Sequence, residues 1–306
     1  MRIRVLGSAA GGGFPQWNCN CQNCRSVRQG APHTRARTQA SLGLSSGDGA
    51  WIVINASPDI RAQIGACAGL QPAHGLRDTP IRAVVLTNAD IDHVVGLLSL
   101  REFQPLVVYC TDQVREWVFE QNVIYRALKT VPGQLSFRRL ETSGTHVFEG
   151  TGGYEGPLAY EAYAVPSKAP GYLGRISTAG TATIGLRLID TRTGASVAYV
   201  PGVKAVDPAL FAFLRRCDAA FVDGTFFTDD ELVHMGHAEK TSLALGHIPM
   251  TGPEGSLERL ADLGPVRKIY IHINNTNPVL REDSPEAAQV RAAGWEIAHD
   301  GLELHV

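Results

Sequence analysis

Short apolar runs alternate with longer amphipathic stretches along the chain. Runs rich in valine, isoleucine and leucine predict β-strands, and apolar residues spaced three or four apart predict helices. Strands are expected at residues 3–6, 41–45, 51–55, 83–87, 106–110, 160–165, 182–190, 198–200, 219–223, 268–273 and 295–298. Helices are expected at residues 59–68, 94–103, 112–127, 208–215, 241–245 and 255–263. Early hairpins followed by alternating strands and helices favour an α/β protein with two packed sheets flanked by helices, and the length alone permits one large domain or two of ordinary size.

Composition narrows the classes of function. The 306 residues suffice for a large core, and a net charge of −2 without a basic run excludes nucleic acid as an expected partner. Met1 leads directly into a β-type segment without a leader pattern, and no run approaches about eighteen apolar residues. We therefore expect a cytoplasmic protein with no membrane contact. Glycine- and proline-rich stretches at 150–157 and 169–174 are expected to be surface loops or lids.

The end of the strand at 83–87 carries a group of polar side chains. Asn88, Asp90, Asp92 and His93 follow it directly, and residues two apart at a strand end point the same way. Carboxylate oxygen and imidazole nitrogen are metal donors, so the segment predicts a metal site. The alternative is that Asp92 caps a helix beginning at Val94.

Three cysteines crowd into one short segment. Cys19, Cys21 and Cys24 have C-x-C-x-x-C spacing, which supplies three of the four donors of a tetrahedral structural zinc site. We expect a metal loop at about residues 18–34. The fourth donor stays open among four candidates: His33, His234, His237 and Asn275. The remaining cysteines are isolated and are expected to be small buried hydrophobes.

Polar residues also follow later predicted strands. Lys168, Asp223, His247 and His272 stand at such ends, where an α/β protein gathers its site. His272 precedes a run of amides expected to line a pocket or a tight turn, namely Asn274, Asn275 and Asn277.

Six segments together resemble one known family, in the same order and across almost the whole chain. They are residues 18–24, 87–93, 166–170, 223–227, 246–250 and 271–278. The chain resembles the pyrroloquinoline quinone (PQQ) biosynthesis protein B family of the metallo-β-lactamase superfamily. The resemblance implies a single domain over residues 1–306, an αββα sandwich of two mixed sheets flanked by helices, with the site at the edge between the sheets.

The superfamily's zinc-binding signature is altered in this sequence. The resemblance places Asn88 and Asp90 where two zinc-binding histidines usually stand, and Lys168 at the next histidine position. Gly202 stands where a bridging aspartate is usual. These replacements disfavour a dinuclear zinc hydrolase, because the ligands that normally generate a bridging hydroxide are missing.

The resemblance matches Asp92, His93 and His272 to the ligands of the second metal position. Two imidazoles and one carboxylate form the facial triad of non-haem Fe(II) oxygenases, with positions left open for oxygen and substrate. Asp90 is expected to be a fourth ligand or the acceptor that fixes a histidine tautomer.

The family resemblance implies an iron-dependent hydroxylase acting on the tyrosine of a Glu-Tyr dipeptide, with O₂ as co-substrate and other PQQ-biosynthesis proteins as partners. A phenol reacts poorly with O₂ until it loses its proton, so His247 and Asp223 are candidates for proton transfer. Lys168 is expected to pair with a substrate carboxylate or the phenolate. Four amides are expected to orient the dipeptide: Asn88, Asn274, Asn275 and Asn277. The alternatives are a non-catalytic carrier of PQQ or its precursor and a metal-dependent hydrolase.

Overall fold

The computed structural model describes residues 1–166, 169–173, 181–236 and 239–306. Its strands are β1 (Arg2–Gly7), β2 (Ser41–Ser45), β3 (Trp51–Ile54), β4 (Ile81–Val85), β5 (Leu106–Cys110), β6 (Leu135–Arg139), β7 (His146–Gly150), β8 (Tyr154–Ala164), β9 (Ile184–Asp190), β10 (Ser196–Val200), β11 (Ala219–Asp223), β12 (Arg267–Ile271), β13 (Trp295–Ile297) and β14 (Glu303–His305). The α-helices are α1 (Gln22–Arg28), α2 (Ile60–Gly65), α3 (Ile91–Val94), α4 (Asp112–Arg115), α5 (Pro208–Arg215), α6 (Glu231–His234), α7 (Ser242–Leu245), α8 (Ser256–Arg259) and α9 (Pro285–Ala292).

The strands form two seven-stranded sheets of mixed direction. The first has the order β14-β1-β2-β3-β4-β5-β6, and the second has the order β13-β12-β11-β10-β9-β8-β7. In the first sheet β1, β2 and β3 pair antiparallel, whereas β3 to β6 run parallel. In the second, β7 to β9 are antiparallel and β10 to β13 are parallel. The predicted pair of mixed sheets is confirmed.

The chain divides into two compact units, each built from separate segments. The first contains residues 1–7, 41–196 and 301–306, and the second contains residues 8–40 and 197–300. The sequence prediction of one domain over 1–306 stays a prediction. No helix among the described residues has the length and apolar character needed to cross a bilayer.

The core of the first unit lies around its parallel strands. Every residue of β3 and β5 is buried, as expected for strands covered on both faces. A cluster of apolar side chains including Trp51, Val84 and Trp117 fills this core. This packed core supports β4, and the polar segment that begins with Thr87 follows directly after that strand.

The second unit is organised around β10, β11 and β12. All five residues of β11 are buried, and Phe221 is completely enclosed. The Tyr270 and Trp295 rings stack at 4.1 Å between centroids. Because parallel neighbours place their carboxyl ends at one sheet edge, Asp223 and His272 emerge together after β11 and β12.

Three sequence expectations need correction. The segment 18–34 is not wholly a loop, because α1 begins at Gln22 and contains Cys24. Residues 154–157 belong to β8 and are not a lid, and only Thr151–Gly153 form a short 3₁₀ turn before that strand. The helix expected at 112–127 is broken into α4, a π-helical stretch at Glu116–Glu120 and a 3₁₀ helix at Val123–Lys129.

Candidate metal centres and their surroundings

The polar segment after β4 is fixed by main-chain contacts to the end of β3. Ala56 N–H donates to the His93 carbonyl at 2.8 Å, and Gly96 N–H donates to the Ala56 carbonyl at 2.9 Å. A Cβ at Gly96 would lie only 2.0 Å from the Ser57 carbonyl oxygen, so glycine is required for this approach. The backbone that carries Asp92 and His93 is thereby held in one position.

The Asn55 side chain braces the same segment. Asn55 is completely buried, its Nδ2 donates to Thr87 Oγ1 at 2.9 Å, and its Oδ1 accepts the Thr87 N–H at 2.9 Å. Its φ of 61° is left-handed, a conformation that asparagine tolerates better than most residues. Asn55 therefore ties the end of β3 to the start of the polar segment that follows β4.

Asn88 orients the His93 ring. Asn88 Nδ2 donates to Asp90 Oδ2 at 2.7 Å, which leaves Asn88 Oδ1 to accept a hydrogen bond from His93 Nδ1 at 2.7 Å. His93 Nε2 then carries the lone pair and lies 3.8 Å from Asp92 Oδ2. In this unit an imidazole nitrogen and a carboxylate oxygen therefore lie side by side as metal donors.

Asp92 does not begin the following helix. α3 starts at Ile91, with Asp90 as the residue before it, so Asp92 lies inside the first turn. The predicted start near Val94 was three residues late. The N-cap residue is Asp90, so the alternative interpretation of Asp92 as the cap of this helix is wrong.

In the second unit, Thr225 links two histidines to a buried carboxylate. Ligand atoms of Asp223, His247 and His272 all lie within 4.8 Å of one another. His247 Nδ1 lies 2.8 Å from Asp223 Oδ2, and His272 Nδ1 lies 3.0 Å from Thr225 Oγ1. The Thr225 hydroxyl donates to Asp223 Oδ1 at 2.6 Å, so its oxygen accepts from His272 Nδ1. With Nδ1 donating in this way, the lone pair of a neutral His272 ring lies on Nε2.

The Asp223 carboxylate is enclosed but well satisfied. Its oxygens also accept the main-chain N–H groups of Val203 at 2.9 Å and Thr225 at 3.0 Å. Burial alone raises its pKa, yet attraction to His247, the His247 hydrogen bond and attraction to His272 leave the pKa below the usual value. Asp223 is thus a fixed anion that orients His247.

Gly202 leaves space near His247. A Cβ at this position would lie 3.9 Å from His247 Cε1, which is ordinary van der Waals contact. Glycine is therefore not required here by crowding. Crowding at Cβ does not explain why glycine stands where the sequence resemblance leads one to expect an aspartate.

The three cysteines of the N-terminal segment converge on one point. The sulfur atoms of Cys19, Cys21 and Cys24 lie within 4.8 Å of one another, and all three are free thiols. Burial is the main cause that raises the pKa of Cys21 to about 12, with the neighbouring thiols adding to it. A thiol with this pKa ionises when a cation offsets the charge, so the donor chemistry fits zinc.

Asn275 is the candidate fourth donor that the structure brings to the thiols. Its side-chain nitrogen is placed 3.1 Å from Cys19 Sγ and 3.4 Å from Cys24 Sγ. Turning the amide by 180° exchanges its nitrogen and oxygen and directs a metal donor at the same point. His33 and His234 are exposed, and His234 pairs with Asp230 at 3.3 Å. His237 lies outside the described residues.

Asn23 holds the two sides of this cluster together. Its buried Nδ2 lies 3.1, 3.1 and 2.9 Å from the carbonyl oxygens of Asn275, Thr276 and Asn277. The helix that carries Cys24 is thereby attached to the main chain that carries Asn275. Asn23 lies within residues 18–24, one of the segments that carry the family resemblance, but no role was predicted for it.

The other predicted substrate amides are engaged within the protein. Asn277 is completely buried, donates to the Gly224 carbonyl at 3.0 Å and accepts the Val279 N–H at 3.1 Å. These bonds give Asn277 a structural role, and its contact with substrate stays a prediction. Asn274 is half-buried and is discussed below. Lys168 lies outside the described residues, so its predicted role also stays a prediction.

Glu231 is a buried carboxyl that sequence analysis missed. Its Oε2 accepts the Phe227 N–H at 2.8 Å, and Oε1 accepts the Thr276 hydroxyl. Burial raises the pKa of Glu231 to about 7, although both hydrogen bonds oppose the shift. The one sequence signal for Glu231 is its position after a short loop. No motif distinguishes this residue from the exposed acidic residues nearby.

The raised pKa predicts a pH-dependent stability. An acid whose pKa is higher in the folded chain than its ordinary 4.5 stabilises the fold most below pH 4.5. This contribution to the free energy of unfolding is lost as pH rises through about 7. We expect Glu231→Gln to remove a pH-dependent loss of up to about 3 kcal/mol in unfolding free energy. Denaturant unfolding of both proteins from acidic to mildly alkaline pH measures it, and parallel pH profiles would contradict it.

The chain is similar to proteins of known family. The β-lactamase superfamily domain profile matches residues 50–273. The coenzyme PQQ synthesis protein B of Azoarcus sp. (strain BH72) is 45% identical over 307 residues, covering 99% of each chain. The crystal structure of Zn²⁺-bound PqqB from Methylobacterium extorquens has a TM-score of 0.92 and 40% identity, covering 100% of both chains.

A diphosphatase of the PhnP family has a TM-score of 0.66 at 21% identity, covering 100% of this chain and 97% of that one, which supports the fold alone. The predicted metallo-β-lactamase fold, with two mixed sheets flanked by helices, is confirmed. Full-length identity to the curated relatives extends well beyond the superfamily domain. The chain therefore belongs to the coenzyme PQQ synthesis protein B family of the β-lactamase superfamily.

Proposed function

We propose that this protein acts in PQQ biosynthesis as an Fe(II)-dependent oxygenase that hydroxylates the tyrosine of a Glu-Tyr dipeptide. The names of its relatives support the pathway, and its donor set supports the reaction class. One observation carries most weight: the Nδ1 atoms of His93 and His272 are both engaged within the protein, so a neutral ring carries its lone pair on Nε2, the form in which imidazole binds a metal.

The proposed ligands of the iron are Asp92, His93 and His272. A carboxylate and two neutral imidazoles suit Fe(II) and leave coordination positions open. Iron bound there would supply the activation of O₂, and two electrons from an external reductant would allow the second oxygen atom to leave as water. Asp90 acts through Asn88, whose amide it orients, and so fixes the His93 tautomer.

The residues of the second unit handle the phenol proton. His247 Nε2 accepts the proton of the tyrosine hydroxyl, which makes the ring electron-rich and reactive. Asp223 keeps the His247 ring in the required orientation and balances the positive charge that the ring gains. Lys168 pairs with a substrate carboxylate, and Asn88 and Asn274 contribute polar contacts to the dipeptide.

The cysteine cluster is a separate structural zinc site. Cys19, Cys21 and Cys24 supply three thiolates, and we propose the Asn275 side-chain oxygen as the fourth donor. Because all four positions are filled by the protein, this metal has no catalytic position. Free cysteines are typical of a reducing compartment, so we place the protein in the cytoplasm, where the other PQQ-biosynthesis proteins are its partners.

Product analysis tests the reaction class. Protein reconstituted anaerobically with Fe(II) is exposed to O₂, ascorbate and Glu-Tyr, and the product mass is recorded. We expect addition of oxygen to the tyrosyl ring, with label incorporated from ¹⁸O₂, and no appreciable phosphodiester or β-lactam hydrolysis. Dipeptide bound but recovered unchanged indicates the carrier, and hydrolysis with two bound zinc ions indicates the hydrolase.

A further inference from the structure

Three polar side chains of the second unit form a hydrogen-bonded relay: Glu231, Thr276 and Asn274. The Thr276 hydroxyl contacts Glu231 Oε1, and Asn274 Nδ2 lies 2.6 Å from the same hydroxyl oxygen. Glu231 and Thr276 are 8% and 7% exposed, whereas Asn274 is half-buried. The relay therefore runs from a buried carboxylate to an amide that solvent and ligands can reach.

Counting hydrogens fixes the direction of the relay. An ionised carboxylate only accepts hydrogen bonds, and a hydroxyl has a single hydrogen to give. Above the Glu231 pKa of about 7, Thr276 must therefore donate to Glu231, and its oxygen is left to accept from Asn274. The NH₂ group of Asn274 is directed at Thr276, and its Oδ1 points away as an acceptor. This donor-to-acceptor direction, the polarity of the relay, follows from the number of hydrogens on the three groups. It does not depend on which amide atom of Asn274 is assigned as nitrogen and which as oxygen.

The relay ends close to the two histidines of the second unit. The Asn274 main-chain N–H donates to the Thr225 carbonyl at 3.1 Å, and Thr225 Oγ1 lies 3.0 Å from the Nδ1 atoms of both His247 and His272. An acceptor held at this place suits a ligand that offers N–H groups. A dipeptide offers an ammonium group and a peptide N–H.

We propose that Asn274 Oδ1 accepts a hydrogen bond from an N–H group of the dipeptide, and that Glu231 is the positioning residue that sets this polarity through Thr276. The inference rests on the proposed function for its ligand. It adds to the sequence prediction of Asn274 as a substrate amide, because it names the atom used and the residue behind it.

Glu231→Gln should reverse the relay. The glutamine oxygen accepts the Phe227 N–H as before, so its NH₂ group faces Thr276 and donates to it. The Thr276 hydrogen then turns to Asn274 and selects the opposite amide orientation. Asn274 would present NH₂ to the dipeptide N–H, placing two donors against each other.

Calorimetric titration of the metal-containing protein with Glu-Tyr under anaerobic conditions measures the effect. The titration is done at about pH 8.5, where a carboxyl with a pKa of about 7 is ionised. We expect Glu231→Gln, Thr276→Val and Asn274→Ala each to raise Kd about tenfold. Thr276→Ser keeps the hydroxyl and should bind as the unchanged protein does.

A double variant separates positioning from general destabilisation. If Glu231 acts through Asn274, Glu231→Gln adds no further loss of affinity to Asn274→Ala. The proposal would be overturned if the fold-increases in Kd of the two single variants multiply in the double variant. Unchanged binding of the dipeptide by Glu231→Gln alone would also overturn it.

The Asn274 side-chain NH₂ resonances give a readout that needs no ligand. We expect them to shift in Glu231→Gln and Thr276→Val and to stay in place in Thr276→Ser. Failure of the unchanged protein to bind Glu-Tyr would refute the proposed function together with the ligand part of this inference. Unshifted resonances in Glu231→Gln would refute the relay itself, whether or not the dipeptide binds.

Discussion

His93→Ala and His272→Ala are each expected to abolish stoichiometric Fe(II) binding and to lower dipeptide oxygenation by at least about 1,000-fold. The expectation follows from the donor chemistry, because a facial triad that loses one imidazole retains two protein ligands. Both rings are also held by hydrogen bonds at Nδ1, so each variant removes an imidazole of fixed orientation. Metal analysis after desalting and single-turnover product yield are the two measurements.

Lys168→Ala is the matched control for these histidine variants. A protonated lysine repels a divalent cation, so its removal should leave iron in place and impair substrate handling. Circular dichroism and thermal unfolding establish that each variant is folded. Full iron occupancy in His93→Ala, or loss of iron from a folded Lys168→Ala, would reverse the assigned roles.

Cys21→Ser is expected to remove the structural zinc and to lower the unfolding free energy by about 3 kcal/mol or more. Serine is a poor zinc ligand, and the remaining thiols have to be buried without a cation to stabilise their charge. Zinc stoichiometry and denaturant unfolding should therefore change together. Removing zinc from the unchanged protein with a chelator should produce a similar loss.

Cys217→Ser is the control for the cysteine variant. Cys217 is buried outside the cluster, and its Sγ contacts the Phe213 carbonyl at 3.7 Å, a bond that a serine hydroxyl can also make. We expect full zinc content in this variant and a smaller loss of stability. If Cys21→Ser retains its zinc, the cluster is not the zinc site.

Sequence patterns predicted the parts of the fold that depend on continuous apolar runs. The residues of β3, β5 and β11 are all buried, and each strand was expected within one residue of its observed bounds. Apolar runs are reliable in such strands because burial on both faces tolerates few polar residues. The polar residues after β4, β11 and β12 were found for the same reason, since each interrupts a buried run.

Elements without a strong apolar pattern were missed. α1 consists largely of polar residues and was hidden by the interpretation of its cysteine as part of a loop. β6, β7 and β14 are partly exposed strands that show no clear apolar run. The N-terminal part of β8 contains Gly156 and Pro157, which predict a turn locally but are outweighed here by pairing with neighbouring strands.

The candidate site was only partly predictable for a related reason. Ligand-type residues such as His93 can be recognised by their chemistry, but the groups that orient them are ordinary polar residues. Asn55, Thr225 and Glu231 gain their roles from long-range hydrogen bonds that no local spacing encodes. Sequence reasoning therefore identified donor atoms more readily than the contacts that select their tautomers and orientations.

The contact between Cys19 and Asn275 joins residues that are 256 positions apart. Closing a loop of this length has an entropic cost of about 5 kcal/mol, whereas the three cysteines lie within one short stretch. During synthesis at about 5–20 residues per second, the thiols leave the ribosome tens of seconds before Asn275 does. A nascent chain can thus capture zinc early but complete the cluster only when synthesis is almost finished. Chains that terminate before Asn275 should leave residues 8–40 undocked and open to proteolysis.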